Sequence, residues 1–389
     1  MAISLVEVRG KAIESACCMQ NMTRLTPPFR ADHVGSLLRP AFLKEARAGR
    51  ERGEISADEL RLVEDAAVES IIARQSEIGL RSATDGEFRR AMWHFDFLEN
   101  LDGVESFHAD HGIAFKGGIE TKAQGLRVTA KLGFSSHPMI GHFQFLRDRT
   151  KATPKMTIPS PSVLHFRGGR RAVSRELYPD MEEFYRDLAL AYRGAVQAFA
   201  DAGCRYLQLD EVNLAYLCDP EQRRLLTERG DDPERLPAIY ARMINTAIED
   251  RPADMTITMH LCRGNFRSSW IAQGGYEPVA EILFNQIGVN GYFMEFDSER
   301  AGGFEPLRFV PKNKTVVLGL VTSKSGTLEP ADDLRRRIDD AARFVPLDQL
   351  CLSPQCGFAS TEEGNALSED EQWKKLSRIV EVAAKVWGD

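Results

Sequence analysis

Apolar runs of four to eight residues recur along the chain, each closed by glycine, proline or a polar cluster, and stretches of helical periodicity separate them. Eight such runs suit buried parallel strands: residues 29–36, 81–87, 156–160, 204–210, 255–262, 291–296, 315–321 and 349–356. Their interiors read as apolar, as expected of a parallel sheet covered on both faces. Between them the period changes. From Met181 to Ala202, Phe184, Leu188, Leu190, Ala191, Ala195, Phe199 and Ala200 build one stripe before Gly203 stops it. In residues 56–78, Ser56 is the expected N-cap, Glu59 stands at the capping-box position and Gly79 ends the helix. Residues 331–344 and 362–387 supply the last two helices. Strand and helix alternating eight times predict an α/β fold, a (β/α)8 TIM barrel in a single domain. An open doubly wound sheet is the alternative, but no Gly-x-Gly-x-x-Gly turn follows the first strand. Residues 89–155 break the alternation after strand 2. They are expected to form an insertion over the barrel mouth, with residues 97–103 and 116–134 irregular or in hairpin strands.

Barrels of this kind place their chemistry at the carboxyl ends of the strands, and polar residues crowd those ends here. His260-Leu261-Cys262 closes the run Met255 to Met259, and residues i and i+2 of a strand share a face, so His260 and Cys262 can address one ion while Leu261 packs away. Glu295 and Cys356 close two later runs. Two thiolates, one imidazole and one carboxylate form a ligand set that zinc prefers, and a site whose ligand can yield to substrate is catalytic rather than structural. Cys204, Cys218 and Cys351 fall in apolar or helical settings and read as core.

Composition narrows the class. The chain has 389 residues, 43% hydrophobic and 28% charged, which is enough for one large core. A net charge of -7 with no block of lysine and arginine argues against a nucleic-acid partner and favours small-molecule chemistry. Seven cysteines without regular spacing do not make a secreted disulfide framework, and thiolate ligands need a reducing compartment. No apolar stretch approaches the roughly 20 residues needed to span a bilayer. Residues 1–28 lack an apolar signal core and read as an N-terminal extension to a barrel of residues 29–389, so a cytoplasmic location is expected. Oligomeric state leaves no trace in the sequence.

The ordered set of motifs carries a resemblance. His-x-Cys after strand five, Glu after strand six and Cys356-Gly357 after strand eight, together with Val34-Gly35-Ser36, Asp85-Gly86-Glu87 and Leu207-Gln-Leu-Asp210-Glu211, resemble the catalytic barrel of cobalamin-independent methionine synthase. The likeness spans about residues 29 to 389 and is to the short, single-barrel, methionine synthase II-like branch. It implies that His260, Cys262, Glu295 and Cys356 hold Zn2+, that the backbone of Ser36 meets an amino-acid carboxylate, and that Glu87 and Asp210 bind its ammonium group. Asp85 and Glu211 read as loop caps. The implied reaction is methyl transfer to a thiol, homocysteine giving methionine.

The chemistry of that reaction sets further expectations. Zinc with two thiolates and a carboxylate is a poor generator of hydroxide and a good holder of one more thiol, which would bind as thiolate by displacing Glu295 or water. Attack on a methyl group carried by nitrogen requires that the nitrogen be protonated as it leaves. His165, in Ser160-Pro-Ser-Val-Leu-His165-Phe166, is one candidate acid, and Phe166, His165 or Trp93 are candidates to stack on a flat donor where the family's tryptophan is missing. The methyl donor stays open between 5-methyltetrahydrofolate, a methyl-corrinoid and an activated small molecule. Two other readings keep the metal: alkylation of a different thiol, as in barrels that add coenzyme M to epoxides, and a non-catalytic zinc barrel. Arg263-Gly264-Asn265 reads as turn-shaping, and Arg167-Gly-Gly-Arg-Arg171 as a solvated loop.

Overall fold

The computed structural model describes residues 24–388, so the expectation for residues 1–28 lies almost wholly outside it. Six strands form one continuous parallel ladder: Met156–Pro159, Tyr206–Glu211, Thr256–Leu261, Gly291–Glu295, Thr315–Val321 and Leu350–Pro354. Every residue of Thr315–Val321 is buried, as a strand covered on both faces requires. Two short segments complete the ring. Ala31 bridges Leu352 in parallel, with Asp32 N donating to Leu352 O at 3.0 Å. Ser82–Ala83 pairs with Thr153–Pro154, immediately before the third barrel strand, and Leu37 N donates to Gly86 O at 3.0 Å between the first two. The result is a closed (β/α)8 barrel.

The first two strands are shorter than predicted because polar groups claim their backbone. The Asp32 carboxylate accepts from Phe29 N (3.1 Å), His33 N (2.8 Å), Ser82 Oγ (3.0 Å) and Tyr206 Oη (2.8 Å), with Lys155 Nζ at 3.4 Å. Chain that curls around its own carboxylate cannot also run a ladder. Asp32 and Lys155 are both fully buried, which corrects the expectation of a purely apolar barrel interior. The charges are tolerated there because each is paired and hydrogen-bonded.

Capping chemistry starts the outer helices where the sequence predicts. Ser56 and Glu59 form a reciprocal capping box ahead of Ala57–Glu77. A second box, Ser368 with Glu371, starts the last helix at Glu369 rather than at 362, because these residues satisfy the first free N–H groups. Asp180 caps Met181–Asp201. That helix buries Phe184, Leu188, Ala191, Ala195 and Phe199, whereas Leu190 is 45% exposed, because it lies about 240° around the helix from Phe184. Each large side chain buried here contributes on the order of 1.5–3 kcal/mol, and Phe199→Ala would cost about 3–5 kcal/mol.

The insertion is shorter than expected. Residues 95–133 hold a one-turn helix, Phe95–Leu98, an antiparallel pair Asp102–His108 with Gln124–Gly133, and a small hairpin of Ala114–Phe115 with Ile119–Glu120. The following helix, Pro138–Arg149, packs on Ala57–Glu77 as an ordinary barrel helix. The small hairpin crosses the mouth: Lys116 N donates to Trp270 O at 2.8 Å, and Ser269 Oγ to Lys116 O at 2.6 Å. Cys204, Cys218 and Cys351 are buried and unpaired, as the sequence suggests. No helix of the described residues is long and apolar enough to cross a membrane.

Candidate active site

One cavity opens at the carboxyl ends of the strands beneath the small hairpin. Ser36, Glu87, Asp210, His260, Cys262 and Cys356 all line it. The other two predicted site residues, Glu295 and His165, do not.

Strand register explains the gathering. Asp210 and His260 are partners on neighbouring strands, so both reach the mouth at the same height. Cys262 follows His260 by two residues, and Cys356 follows the last strand, Leu350–Pro354. His260, Cys262 and Cys356 offer ligand atoms all within 4.8 Å of one another, and the two sulfurs are 3.4 Å apart without a disulfide. Gly264 N donates to Cys262 Sγ at 3.3 Å. His260 Nδ1 faces Phe293 O at 3.3 Å, while its Nε2 is buried with no partner. The hydrogen bond from Cys262 holds Cys356 well below the ordinary thiol pKa, against burial and with help from His260, while Cys262 is pushed up in turn.

Glu87 and Asp210 line the same cavity as buried carboxylates. Gly86 and Glu87 both have positive φ, 65° and 61°. A Cβ on Gly86 would lie 2.6 Å from Ile71, so this turn needs glycine. Glu87 holds the left-handed region although it has a side chain, a strain often found at functional positions. Its Oε1 accepts from Thr157 Oγ1 at 2.9 Å and lies 3.6 Å from Arg90, but its Oε2 is buried without a partner. Asp210 accepts from Gln208 Nε2 at 2.7 Å. Burial first, and then the charge of Glu87, push its pKa up to about 7, and burial raises Glu87 as well against Arg90 and Arg39. Ser36 stands beside them, its Oγ accepting from Ala359 N at 3.4 Å, and a Cβ on Gly357 would fall 1.9 Å from that oxygen.

The structure places two of the expected site residues apart from the others. Glu295 stands outside the three-residue cluster. Arg263 N (3.1 Å) and Gln355 Nε2 (3.4 Å) donate to its Oε1, and Arg300 grips its Oε2 through two nitrogens at 3.2 Å. Burial pushes its pKa up, but Lys324, Arg300 and Arg263 outweigh that and hold it at about 2. His165 is not poised as an acid. Tyr240 Oη meets its Nδ1 at 2.8 Å and Tyr185 Oη its Nε2 at 3.0 Å, so both ring nitrogens are engaged behind the cavity wall. Of the three stacking candidates, Trp93 alone lines the cavity, whereas Phe166 and His165 pack in the core. Asp85 accepts from Glu87 N at 2.9 Å, and Glu211 from Asn213 N at 2.7 Å, which makes both loop caps. Arg263 shapes the turn by donating to Gly274 O at 2.7 Å and Tyr276 Oη at 2.7 Å.

The comparisons with known proteins agree with this arrangement. Residues 172–385 match the family described as cobalamin-independent synthase, catalytic domain. The chain belongs to this family. The uncharacterised protein YxjH of Bacillus subtilis is 54% identical over 362 residues, covering 92% of this chain and 95% of that protein. A Listeria monocytogenes structure carrying the name vitamin-B12 independent methionine synthase is 42% identical with a TM-score of 0.76, covering 94% of this chain and 100% of that one. The 5-methyltetrahydropteroyltriglutamate–homocysteine methyltransferase of Bacillus velezensis is 22% identical over 362 residues, 91% of this chain and 43% of that protein. As a member of this cobalamin-independent family, the chain gains no support for a methyl-corrinoid donor.

Several residues at the site escaped the sequence reading. Arg300 follows Glu295 by five positions, outside any motif. Lys324, whose Nζ is buried without a partner, lies just past the seventh strand in a polar Thr-Ser-Lys-Ser run that gave no periodic signal. His94 lines the cavity within the aromatic run Trp93-His-Phe95, and a histidine there so soon after Asp85-Gly86-Glu87 is the cue that could have found it.

Proposed function

We propose that this protein transfers a methyl group from a methylated folate to the thiol of homocysteine, giving methionine, with zinc held by His260, Cys262 and Cys356. One observation carries the reading: a single cavity joins a soft, metal-binding triad to a pair of buried carboxylates with an unpartnered oxygen. The triad fits zinc. It has two sulfurs at 3.4 Å, an orphaned imidazole nitrogen, and a thiol whose pKa is drawn well below the ordinary value. Zinc in such a set would depress the pKa of a substrate thiol and keep it nucleophilic at neutral pH.

The rest is work for the chain's own side chains. A homocysteine whose sulfur lies at the triad presents its ammonium group to Glu87 and Asp210, where charge-assisted bonds are strong because water is excluded. Its carboxylate meets the backbone at Ser36. Fixing both ends of the amino acid leaves the sulfur one approach to the methyl carbon, which supplies much of the rate. The sulfur–carbon bond forms as the donor's nitrogen–carbon bond breaks, and the freed nitrogen takes up a proton. Glu295 stays with Arg300 in this scheme, and His260, Cys262 and Cys356 would hold the zinc that receives the thiol.

The test is direct. Purified protein should carry about one zinc per chain and form methionine from homocysteine and 5-methyltetrahydropteroyltriglutamate. Stoichiometric zinc with no methionine from any methylated folate would overturn the assignment.

A further inference from the structure

The metal triad and the carboxylate pair account for one half of the cavity. The other half, under the small hairpin, has its own polar group. His94 is fully buried, and both of its ring nitrogens lack a partner. The backbone does not use it either: His94 is the N-cap residue of Phe95–Leu98, yet its side chain makes no capping bond. The ring is wedged between Trp93, with centroids 4.6 Å apart, and Phe95, at 4.2 Å. Trp93, Phe115 and Arg167 line the cavity with it. His33 also has both ring nitrogens without a partner, but it does not line the cavity. His165 is held by two tyrosines, and His137 by Phe97 O at 3.0 Å and Met139 N at 3.1 Å. Buried polar groups in proteins are hydrogen-bonded almost without exception, so a doubly unpartnered imidazole facing a cavity points to a ligand that completes it.

We propose that His94, with Trp93, seats the methyl donor: the imidazole hydrogen-bonds the polar edge of a flat molecule that Trp93 covers. This rests on the methyl-transfer reading and names the donor half of that site. Burial, and then the charge of Arg167, keep the ring neutral, so it offers one N–H and one lone pair. Such an edge suits a heterocycle that both gives and accepts. Arg167, also lining this half with its Nε unpartnered, sets the sign of charge. A guanidinium beside the imidazole favours a neutral or anionic donor and disfavours a sulfonium cation.

The experiment measures binding and turnover separately on the zinc-loaded protein. 5-Methyltetrahydrofolate is titrated by quenching of tryptophan fluorescence, with S-methylmethionine as the cationic alternative. His94→Phe should weaken folate binding and raise its KM by about tenfold or more, leaving the KM for homocysteine and the zinc content unchanged. His94→Asn, which keeps a donor and an acceptor, should recover most of the loss. Folate binding equal in wild type and His94→Phe would overturn the proposal while leaving the methyl-transfer reading intact, and so would binding of S-methylmethionine in preference to folate. Wild-type protein that binds folate in a His94-dependent way but makes no methionine would sink the methyl-transfer reading instead and keep His94 as a recognition residue.

Discussion

The two walls of the cavity are both buried and both polar, yet they handle their charges in opposite ways. At the triad, Cys262 and Cys356 lie 3.4 Å apart, and the hydrogen bond from Cys262, with help from His260, draws the pKa of Cys356 down against burial. At the other wall, Glu87 and Asp210 are like charges in a dry place, and Asp210 retains a proton up to about pH 7. Sulfur is large and polarisable, whereas the carboxylates lean on Arg90, Thr157 and Gln208. Two sulfurs and an imidazole offer soft donors to a metal, and the paired carboxylates offer acceptors to an ammonium group.

The largest expected effect breaks the triad. Cys262→Ser and Cys356→Ser should each lose most of the bound zinc, because removing one thiolate from a three-residue set costs several kcal/mol of metal affinity. Metal analysis of the purified variants reads this out, and homocysteine binding through its ammonium group should survive in part. Stoichiometric zinc in both variants would show that the triad is not the metal site.

Next comes the carboxylate wall. Glu87→Gln and Asp210→Asn should keep zinc yet weaken homocysteine by about 1.5–3 kcal/mol each, since each removes a charge-assisted bond. The ligand-free protein should respond in the other direction. Asp210 has its folded pKa raised above the unfolded value of 3.8, so its ionisation opposes folding; the cost is absent below about pH 4 and present in full above about pH 7. Asp210→Asn should therefore stabilise the empty protein at pH 8 by roughly 1–4 kcal/mol, a gain that fades toward pH 4. Chemical denaturation at the two pH values checks it. Wild-type affinity for homocysteine in both variants would mean that the acceptor carries no amine.

The same shift predicts a smaller effect of pH on binding. Below pH 7 an incoming ammonium group must displace the proton on Asp210, so homocysteine affinity should fall by up to about tenfold per pH unit, or about 1.4 kcal/mol, between pH 7 and 6. Calorimetry in buffers of different ionisation enthalpy should show about one more proton released at pH 6 than at pH 8, on top of the one the thiol gives up on binding as thiolate at either pH. Proton release independent of pH would assign the titration to another group.

The triad wall was legible in the sequence and the hairpin wall was not. Histidine and cysteine two apart at the end of an apolar run are rare residue types in a geometrically fixed place, so strand periodicity alone located His260 and Cys262, and Cys356 followed from the last strand. Glu87 and Asp210 were located through the family likeness. What failed was orientation. Glu295 ends its strand as predicted, but nothing in Tyr292-Phe-Met-Glu295 announces that Arg300 and the Arg263 amide will take its carboxylate. His165 carried no mark distinguishing a histidine clamped by Tyr185 and Tyr240 from one facing substrate, because its partners lie 20 and 75 residues away. The barrel's first two strands were overestimated for a related reason. Asp32 reads as a strand-end polar residue, whereas it organises a buried ion pair with a lysine 123 positions later.

Glu295 supplies the smallest expected effect and sharpens the contrast between the walls. Its carboxylate accepts from Arg263 N, Gln355 and Arg300 and does not belong to the triad, so Glu295→Gln should change zinc content little, with affinity falling by less than about tenfold, through loss of a nearby negative charge rather than of a ligand. Titration with a competing chelator measures that difference. Zinc-edge X-ray absorption separates the cases further: with three protein ligands, two sulfur neighbours should become three on adding homocysteine, in wild type and Glu295→Gln alike. Should Glu295→Gln empty the site as fully as Cys356→Ser, the carboxylate is a true ligand that has to leave Arg300 to reach the metal. Arg300→Ala would then be expected to tighten zinc, because it frees that carboxylate, and with three ligands it should not.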